Sequence, residues 1–301
     1  MDVSVVIVSF NVRELLKNCL DSVVKFTKDV DYEIIVVDNG SSDESVELLK
    51  NYKGIKTVFS KDNLGFSKGN NLGIKEAKGK YILLLNPDTL LLENSLKTMF
   101  DWMEGHQDIA VSSCQLVDSE QQISSTGGYF PTLSRVFLWV FFLDDLPVLK
   151  NFIKSYHPQV STMNRSTRLY SSEFYPDWVT GAFFFVRREA IDQVGVLDGN
   201  MFMYGEELEW CIRFKSAGWQ VGYTPVTKIV HLGRKSSGGV PRNAVLGEFK
   251  GLKYIYGKHF PGWKQIVLGS LLDIAACARI IFWLIRLKPE MAKIYLEALS
   301  L

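Results

Sequence analysis

Short, uninterrupted apolar runs recur along the first part of the chain: VSVVIVS at 3–9, EIIVV at 33–37, IKTVF at 55–59, YILLL at 81–85 and IAVSSC at 109–114. Runs of this length, rich in branched residues and bounded by polar turns, predict strands covered on both faces. Between them the spacing turns helical, as at Leu15, Leu16, Cys19, Leu20 and Val23. The alternation predicts βαβ units and a mostly parallel sheet. In YILLLNPDTLLLEN the Asn-Pro step must end the fourth strand, because proline lacks a ladder donor and turns its neighbour away from helix. Asp88 is thereby placed at the carboxyl edge of the sheet, where open α/β sheets bind ligands.

From 118 to 175 this regularity stops, and Ser, Gln, Gly and Pro clusters flank the apolar run VFLWVFFL and the DDLP that follows it. WVTGAFFFVRREAI then predicts a buried strand entering a helix, and YGEELEWCIRFKSAGW a helix from about 206 to 217 closed by Gly218. The most apolar long segment runs from Gln265 to Leu287, but Asp273, Arg279 and Arg286 interrupt it. A membrane span asks for roughly 18 apolar residues with few or no charges, and by that rule this segment fails. Arg279, Arg286 and Lys293 are seven apart and share a helix face, the pattern of a basic helix lying in a membrane interface. An interfacial helix, a packed helix and a span all stay open at this point.

Composition narrows the function classes. With 34 Lys and Arg against 33 Asp and Glu, the 301-residue chain has no basic excess, which argues against a nucleic-acid partner. Its four cysteines are far apart and form no CxxC pair, so neither a zinc site nor a disulfide framework is indicated, and a reducing cytoplasm is expected. The opening MDVSVVIVSF has neither a basic leader nor a small-residue cleavage site, so no signal peptide is expected.

Candidate chemistry gathers in the loops after the strands: SFN, DNGSSD, KDNLGFSKGNN and NPDT. All would open on one sheet edge, making Ser9, Asp38, Asn39, Ser41, Asn63, Gly65, Asn70 and Asp88 candidates to line one crevice suited to a nucleotide or sugar. SFNVRE carries no glycine, which argues against a nicotinamide-binding fingerprint, and no P-loop is present. Taken alone, DNGSSD also reads as a turn and helix cap.

Six stretches in order, VSVVIVSFN, EIIVVDNGSSD, NLGFSKGNNLGI, LLLNPDT, WVTGAFFFVRREAIDQVGVLD and FMYGEELEWCIRFKSAGW, resemble the motifs of glycosyltransferase family 2, in particular its rhamnosyltransferase-like branch. The resemblance covers about residues 3–240. It implies an α/β GT-A fold, with a mostly parallel sheet flanked by helices, over residues 1–240. The nucleotide-binding half would be about 1–115 and the acceptor and catalytic half about 116–240, followed by a helical segment at 241–301 whose membrane association stays open. The implied activity is inverting transfer from a nucleotide-diphosphate sugar, best matched to dTDP-L-rhamnose, to a glycan or polyprenyl-linked acceptor in cell-surface polysaccharide synthesis. A UDP-hexose or UDP-N-acetylhexosamine donor, and a non-catalytic nucleotide-sugar or glycan-binding protein on the same fold, are the alternatives.

Carried over by position, Ser9, Asp38 and Asn39 resemble nucleoside contacts, and Gly65 and Asn70 lie near the pyrophosphate and donor sugar. NPD resembles the family's metal-binding DxD, with Asn86 replacing the first acid, so Asp88 is both a donor-binding and a metal residue. His231 resembles the histidine that completes that site, although a lone histidine after a strand more often serves structure. A divalent cation, Mg2+ or Mn2+, would be weakly held without donor, because Asn86 adds no charge. Inverting transfer needs a base facing the donor, and Glu207 matches the second member of the family's acidic pair, with Glu206 as the first. Trp178 and Gly181 of WVTG are supporting residues. The acids of GEELE also read as helix N-terminal residues complementing the dipole, the reading preferred for Glu209. A cytoplasmic location, peripheral on the inner face of the cell membrane, is expected.

Overall fold

The computed structural model describes residues 1–141, 143, 154–156, 169–233 and 241–301. DDLP and the RKSSG that follows His231 lie outside the described residues, as does part of VFLWVFFL. The N-terminal half alternates as its pattern predicts: β1 (Val3–Ser9), α1 (Arg13–Phe26), β2 (Tyr32–Asn39), α2 (Ser45–Asn51), β3 (Lys56–Ser60), α3 (Gly65–Glu76) and β4 (Tyr81–Leu85). After the turn come β5 (Thr89–Leu91), α4 (Ser95–Glu104), β6 (Ile109–Val117), β7 (Gly127–Gly128) and α5 (Leu133–Val140). Then follow β8 (Trp178–Val179), β9 (Phe183–Arg187), α6 (Arg188–Val194), α7 (Glu206–Ser216), β10 (Gln220–His231), α8 (Pro241–His259), α9 (Gly262–Ile285) and α10 (Pro289–Ala298).

The main sheet has the order β3-β2-β1-β4-β9-β6-β10-β5. Only β9 and β5 run against the others. Successive residues of each central strand enter opposite cores, which explains why the strands read as continuous apolar runs. Val5, Ile7, Leu83, Phe183 and Phe185 pack toward α1 and α4, whereas Val6, Ile82, Leu84, Phe184 and Val186 share a core with Trp210, Phe249, Ile255 and Leu268 of the later helices.

The basic stripe expected of Arg279, Arg286 and Lys293 does not form, because only Arg279 lies on α9, Arg286 follows its end and Lys293 is on α10. Arg279 is buried, donating through Nη1 to the carbonyls of Val140 and Ala275 and through Nη2 to that of Trp139, each at 3.4 Å. Its guanidinium lies 4.6 Å from the Trp139 ring centroid. The seven-residue spacing does place Arg279 on a stripe, but on the one formed by Leu272, Ala275 and Ala276, which packs against the protein. Arg286 and Lys293 remain exposed. Although the charges within it fail the sequence rule for a span, Gly262–Ile285 is, among the described residues, the one helix long and apolar enough to cross a membrane by length and composition, with mean hydropathy 1.9 over 18 of its residues.

Candidate active site

Topology brings the candidate residues to one edge. β1, β2, β4 and β10 all end there, at Ser9, Asn39, Leu85 and His231, while antiparallel β9 and β5 begin there. A cavity of about 350 Å³ opens at this edge, lined by Val8, Asn39, Asn63, Gly65, Phe66, Asn86, Pro87, Phe202 and Asn243 among others. Apolar walls carrying a few placed amides are the usual make-up of a small-molecule site.

Ser9 and Asp38 are register partners at the ends of β1 and β2 and are both buried. One Asp38 oxygen accepts from the Ser41 amide at 3.1 Å, but the other has no hydrogen-bond partner, and neither has the Ser9 hydroxyl. Neither residue lines the cavity, whose wall here is Val8, Phe10 and Asn39, but buried polar atoms without partners are uncommon, and a pair of them at adjacent strand ends fits a polar ligand completing the set. Asn39 does more for the loop than for the cavity: its amide donates to Asn63 Oδ1 and to the Gly65 carbonyl, and its Oδ1 accepts from the Leu64 amide, at 3.0–3.1 Å. Gly65 has φ +79° and abuts Phe202, whose ring a Cβ at position 65 would meet at 2.6 Å, so only glycine fits. Asn70 is buried in α3, its amide donating to the Phe66 carbonyl at 3.0 Å, and it does not line the cavity.

The NPD segment forms the turn its proline calls for. The Asn86 carbonyl accepts from the Thr89 amide at 3.2 Å and from its hydroxyl at 2.7 Å. Asp88 is thereby held in the interior beside His231, whose Nε2 lies 3.5 Å from Asp88 Oδ1. Among the described residues no group of three or more His, Cys, Asp or Glu side chains converges as a cage. One carboxylate and one imidazole instead suit a divalent cation that takes its other ligands from water and a diphosphate.

Gly205, at φ +93°, starts α7 and places three acids, Glu206, Glu207 and Glu209, in its first turn. Glu206 is buried, and burial together with the charge of Glu207 pushes its pKa well above the usual carboxylate value, favouring the neutral acid. Glu207 is half-buried, and its Oε1 accepts from the Gly181 amide at 3.4 Å. Gly181 in turn fills the space between Glu207 and the cavity, since a Cβ there would sit 3.0 Å from Cζ of the cavity-lining Phe66 and 3.8 Å from Glu207 Oε1. Trp178 belongs to the core rather than the cavity wall. Glu209 is fully buried and bound to Arg213, Lys258 and His259, a structural role.

Phe66, Phe202, Met203 and Asn243 line the cavity but were not singled out, although Phe66 lies inside the KDNLGFSKGNN loop and Phe202 and Met203 open the FMYGEELEW stretch. Phe202 and Met203 precede the acidic pair in the chain and were identifiable by that adjacency alone, whereas Asn243 comes from the first turn of α8.

The family model described as glycosyl transferase family 2 matches residues 4–195. The Rhamnosyltransferase WbbL of Escherichia coli (strain K12) is 26% identical over 236 residues, spanning 76% of this chain and 83% of that protein. The N-acetylglucosaminyl-diphospho-decaprenol L-rhamnosyltransferase of Mycobacterium tuberculosis (strain ATCC 25618 / H37Rv) is 24% identical over 242 residues, 76% of each chain. Among solved structures, GalNAc-T7 with UDP, GalNAc and Mn2+ superposes with a TM-score of 0.64 at 17% identity, covering 91% of this chain and 51% of that one.

Proposed function

Because the chain belongs to glycosyl transferase family 2 and has the GT-A fold, we propose that it transfers a sugar, with inversion, from dTDP-L-rhamnose to a lipid-linked glycan acceptor. The observation that carries the reading is the meeting, on one sheet edge, of Ser9 and Asp38 with open hydrogen-bonding capacity, the Asp88–His231 pair, and the half-buried Glu207. The rhamnose donor is taken from the two similar rhamnosyltransferases.

Ser9 and Asp38 bind the nucleoside, and Phe66 and Phe202 shape the crevice around the donor. Glu207 accepts the proton of the acceptor hydroxyl, whose oxygen forms the new bond at the anomeric carbon while the diphosphate leaves from the opposite face with the bonding pair. Neutral Glu206 adds no second charge beside it. Asp88 and His231 would hold a divalent cation, which supplies charge stabilisation to the leaving diphosphate.

Incubation with dTDP-rhamnose, UDP-hexoses and UDP-N-acetylhexosamines, with Mg2+, Mn2+ or chelator, tests the donor by nucleoside diphosphate release. Release from dTDP-rhamnose is expected, and release from a UDP-sugar alone would reassign the donor. Asp88→Ala is expected to weaken donor binding in the presence of Mg2+ by at least about tenfold and to abolish its response to chelator. An unchanged calorimetric response to metal would move the cation elsewhere.

The peripheral membrane location rests on α9. Leu268, Leu272 and Ala275 bury one face of this helix, while Trp263, Ile266, Ile274, Ile281 and Ile285 leave a largely apolar face outward, with the exposed Asp273 at its margin and Lys264, Arg286 and Lys288 near its ends. A helix seated on its own protein along one side and apolar along the other suits a position in the bilayer interface. The protein is expected to float with anionic liposomes and to lose that association in Ile281→Glu/Ile285→Glu; a protein that stays wholly in the soluble fraction removes the assignment.

A further inference from the structure

Segment 198–209 carries the cavity wall at Phe202 and Met203 and contains the acidic pair, so whatever holds this segment also sets the position of Glu207. Its backbone is unusual there. Tyr204 has φ +75° and Gly205 φ +93°, two successive residues in the left-handed region immediately before α7. For tyrosine that conformation is unfavourable and persists only when the surroundings impose it.

The surroundings are α8. Gly247 and Gly251, one turn apart, face Tyr204 and Gly205. A Cβ at Gly251 would lie 2.7 Å from the Tyr204 carbonyl oxygen, an atom of the backbone, and a Cβ at Gly247 would collide with the Tyr204 ring. The glycines thus allow the α8 backbone to lie directly on the bend that launches α7, a contact that any side chain would push apart. The far end of α8 grips the same segment. Lys258 Nζ lies 2.6 Å from Asp198 Oδ2 and 2.8 Å from Glu209 Oε1, Tyr254 donates to Asp198 at 2.8 Å, and His259 Nε2 lies 3.0 Å from Glu209. Asn243, in the first turn of α8, reaches the cavity itself.

We infer that Gly247 and Gly251 are positioning residues: the glycine face of α8 holds the Tyr204–Gly205 bend and through it fixes the Glu207 carboxylate against the crevice. This rests on Glu207 being the base. Proximity effects are steep, and a displacement of about 1 Å costs about a hundredfold in rate. Gly257 is the internal control, being on the same helix with nothing within 4 Å of an added Cβ.

The test compares Gly251→Ala, Gly247→Ala, Gly257→Ala and Glu207→Gln in the full chain, measuring kcat, donor KM, calorimetric affinity for dTDP and thermal unfolding. Gly251→Ala and Gly247→Ala are expected to lower kcat by at least about tenfold, more than any loss of dTDP affinity through the neighbouring Phe202 and Met203, while Gly257→Ala matches wild type. In a Glu207→Gln background Gly251→Ala should cause no further loss. Tyr204→Gly removes the ring met by a methyl at 247 and accepts the left-handed backbone, so Gly247→Ala/Tyr204→Gly should regain the turnover of Tyr204→Gly alone. If the folded Gly251→Ala and Gly247→Ala proteins keep wild-type kcat while Glu207→Gln is inactive, the positioning role is wrong and the base assignment stands. Should Glu207→Gln keep wild-type turnover, both are overturned. If Gly251→Ala does not fold, Gly247→Ala and its rescue decide, since the group met there is a side chain.

Discussion

Glu207→Gln is expected to lower sugar transfer by about 10²–10⁴-fold while donor affinity stays at the wild-type level. The substitution keeps size and shape, and the amide oxygen of Gln can still accept from the Gly181 amide that now meets Glu207 Oε1 at 3.4 Å. What it removes is the capacity to take a proton from the acceptor. Glu206 is a poor substitute, because it is buried and its environment favours the neutral form. Loss of turnover together with intact dTDP binding is therefore the signature of a missing base, whereas a parallel loss of both would indicate that the crevice had collapsed. Wild-type turnover in the variant would remove the assignment outright.

Glu209→Ala is expected to reduce stability by about 2–3 kcal/mol, read as a lower Tm and a lower denaturant midpoint with unchanged m-value. Glu209 is fully buried on α7 and accepts from Arg213 Nε at 2.9 Å, Lys258 Nζ at 2.8 Å and His259 Nε2 at 3.0 Å. Breaking a fully buried ion pair costs about 3–5 kcal/mol, but the arginine, lysine and histidine heads here retain access to water and recover part of that. Burial alone would raise the Glu209 pKa, yet the bonds from Arg213, Lys258 and His259 outweigh it and hold it below the ordinary value of 4.5. A carboxylate with a lowered folded pKa stabilises above its unfolded value and loses that contribution as the pH falls through the folded one. The gap between wild type and variant should thus be full at neutral pH and close on acidification below 4.5. A Tm equal to wild type at neutral pH would show that the cluster contributes nothing net.

The strand pattern and the turn chemistry were readable because they are local. Each apolar run of the first half became a strand, NPD formed its turn, and Gly218 ended α7 at φ +94°. Side-chain partners were less readable, because motif position does not say where an amide's hydrogen bonds go. Asn39 and Asn70 illustrate this: Asn39 lines the cavity and Asn70 does not, and both use their amides within the fold. Arg279 shows the same limit for a helix. Spacing assigned it to a stripe, and only packing could tell that the stripe faces Trp139 and Val140 rather than a membrane.

By itself, then, the sequence determined the α/β alternation, the carboxyl-edge loops and the order of the motifs, since these follow from uninterrupted apolar runs, from a helical spacing of 3.6 residues and from backbone rules at Pro and Gly. Only the tertiary structure decided which loops meet, because residues distant in the chain are joined by sheet order and helix docking. His231 reaches Asp88 through the pairing of β10 with β5, and the Tyr204–Gly205 bend meets α8 through glycines whose meaning appears only when the two backbones are seen in contact.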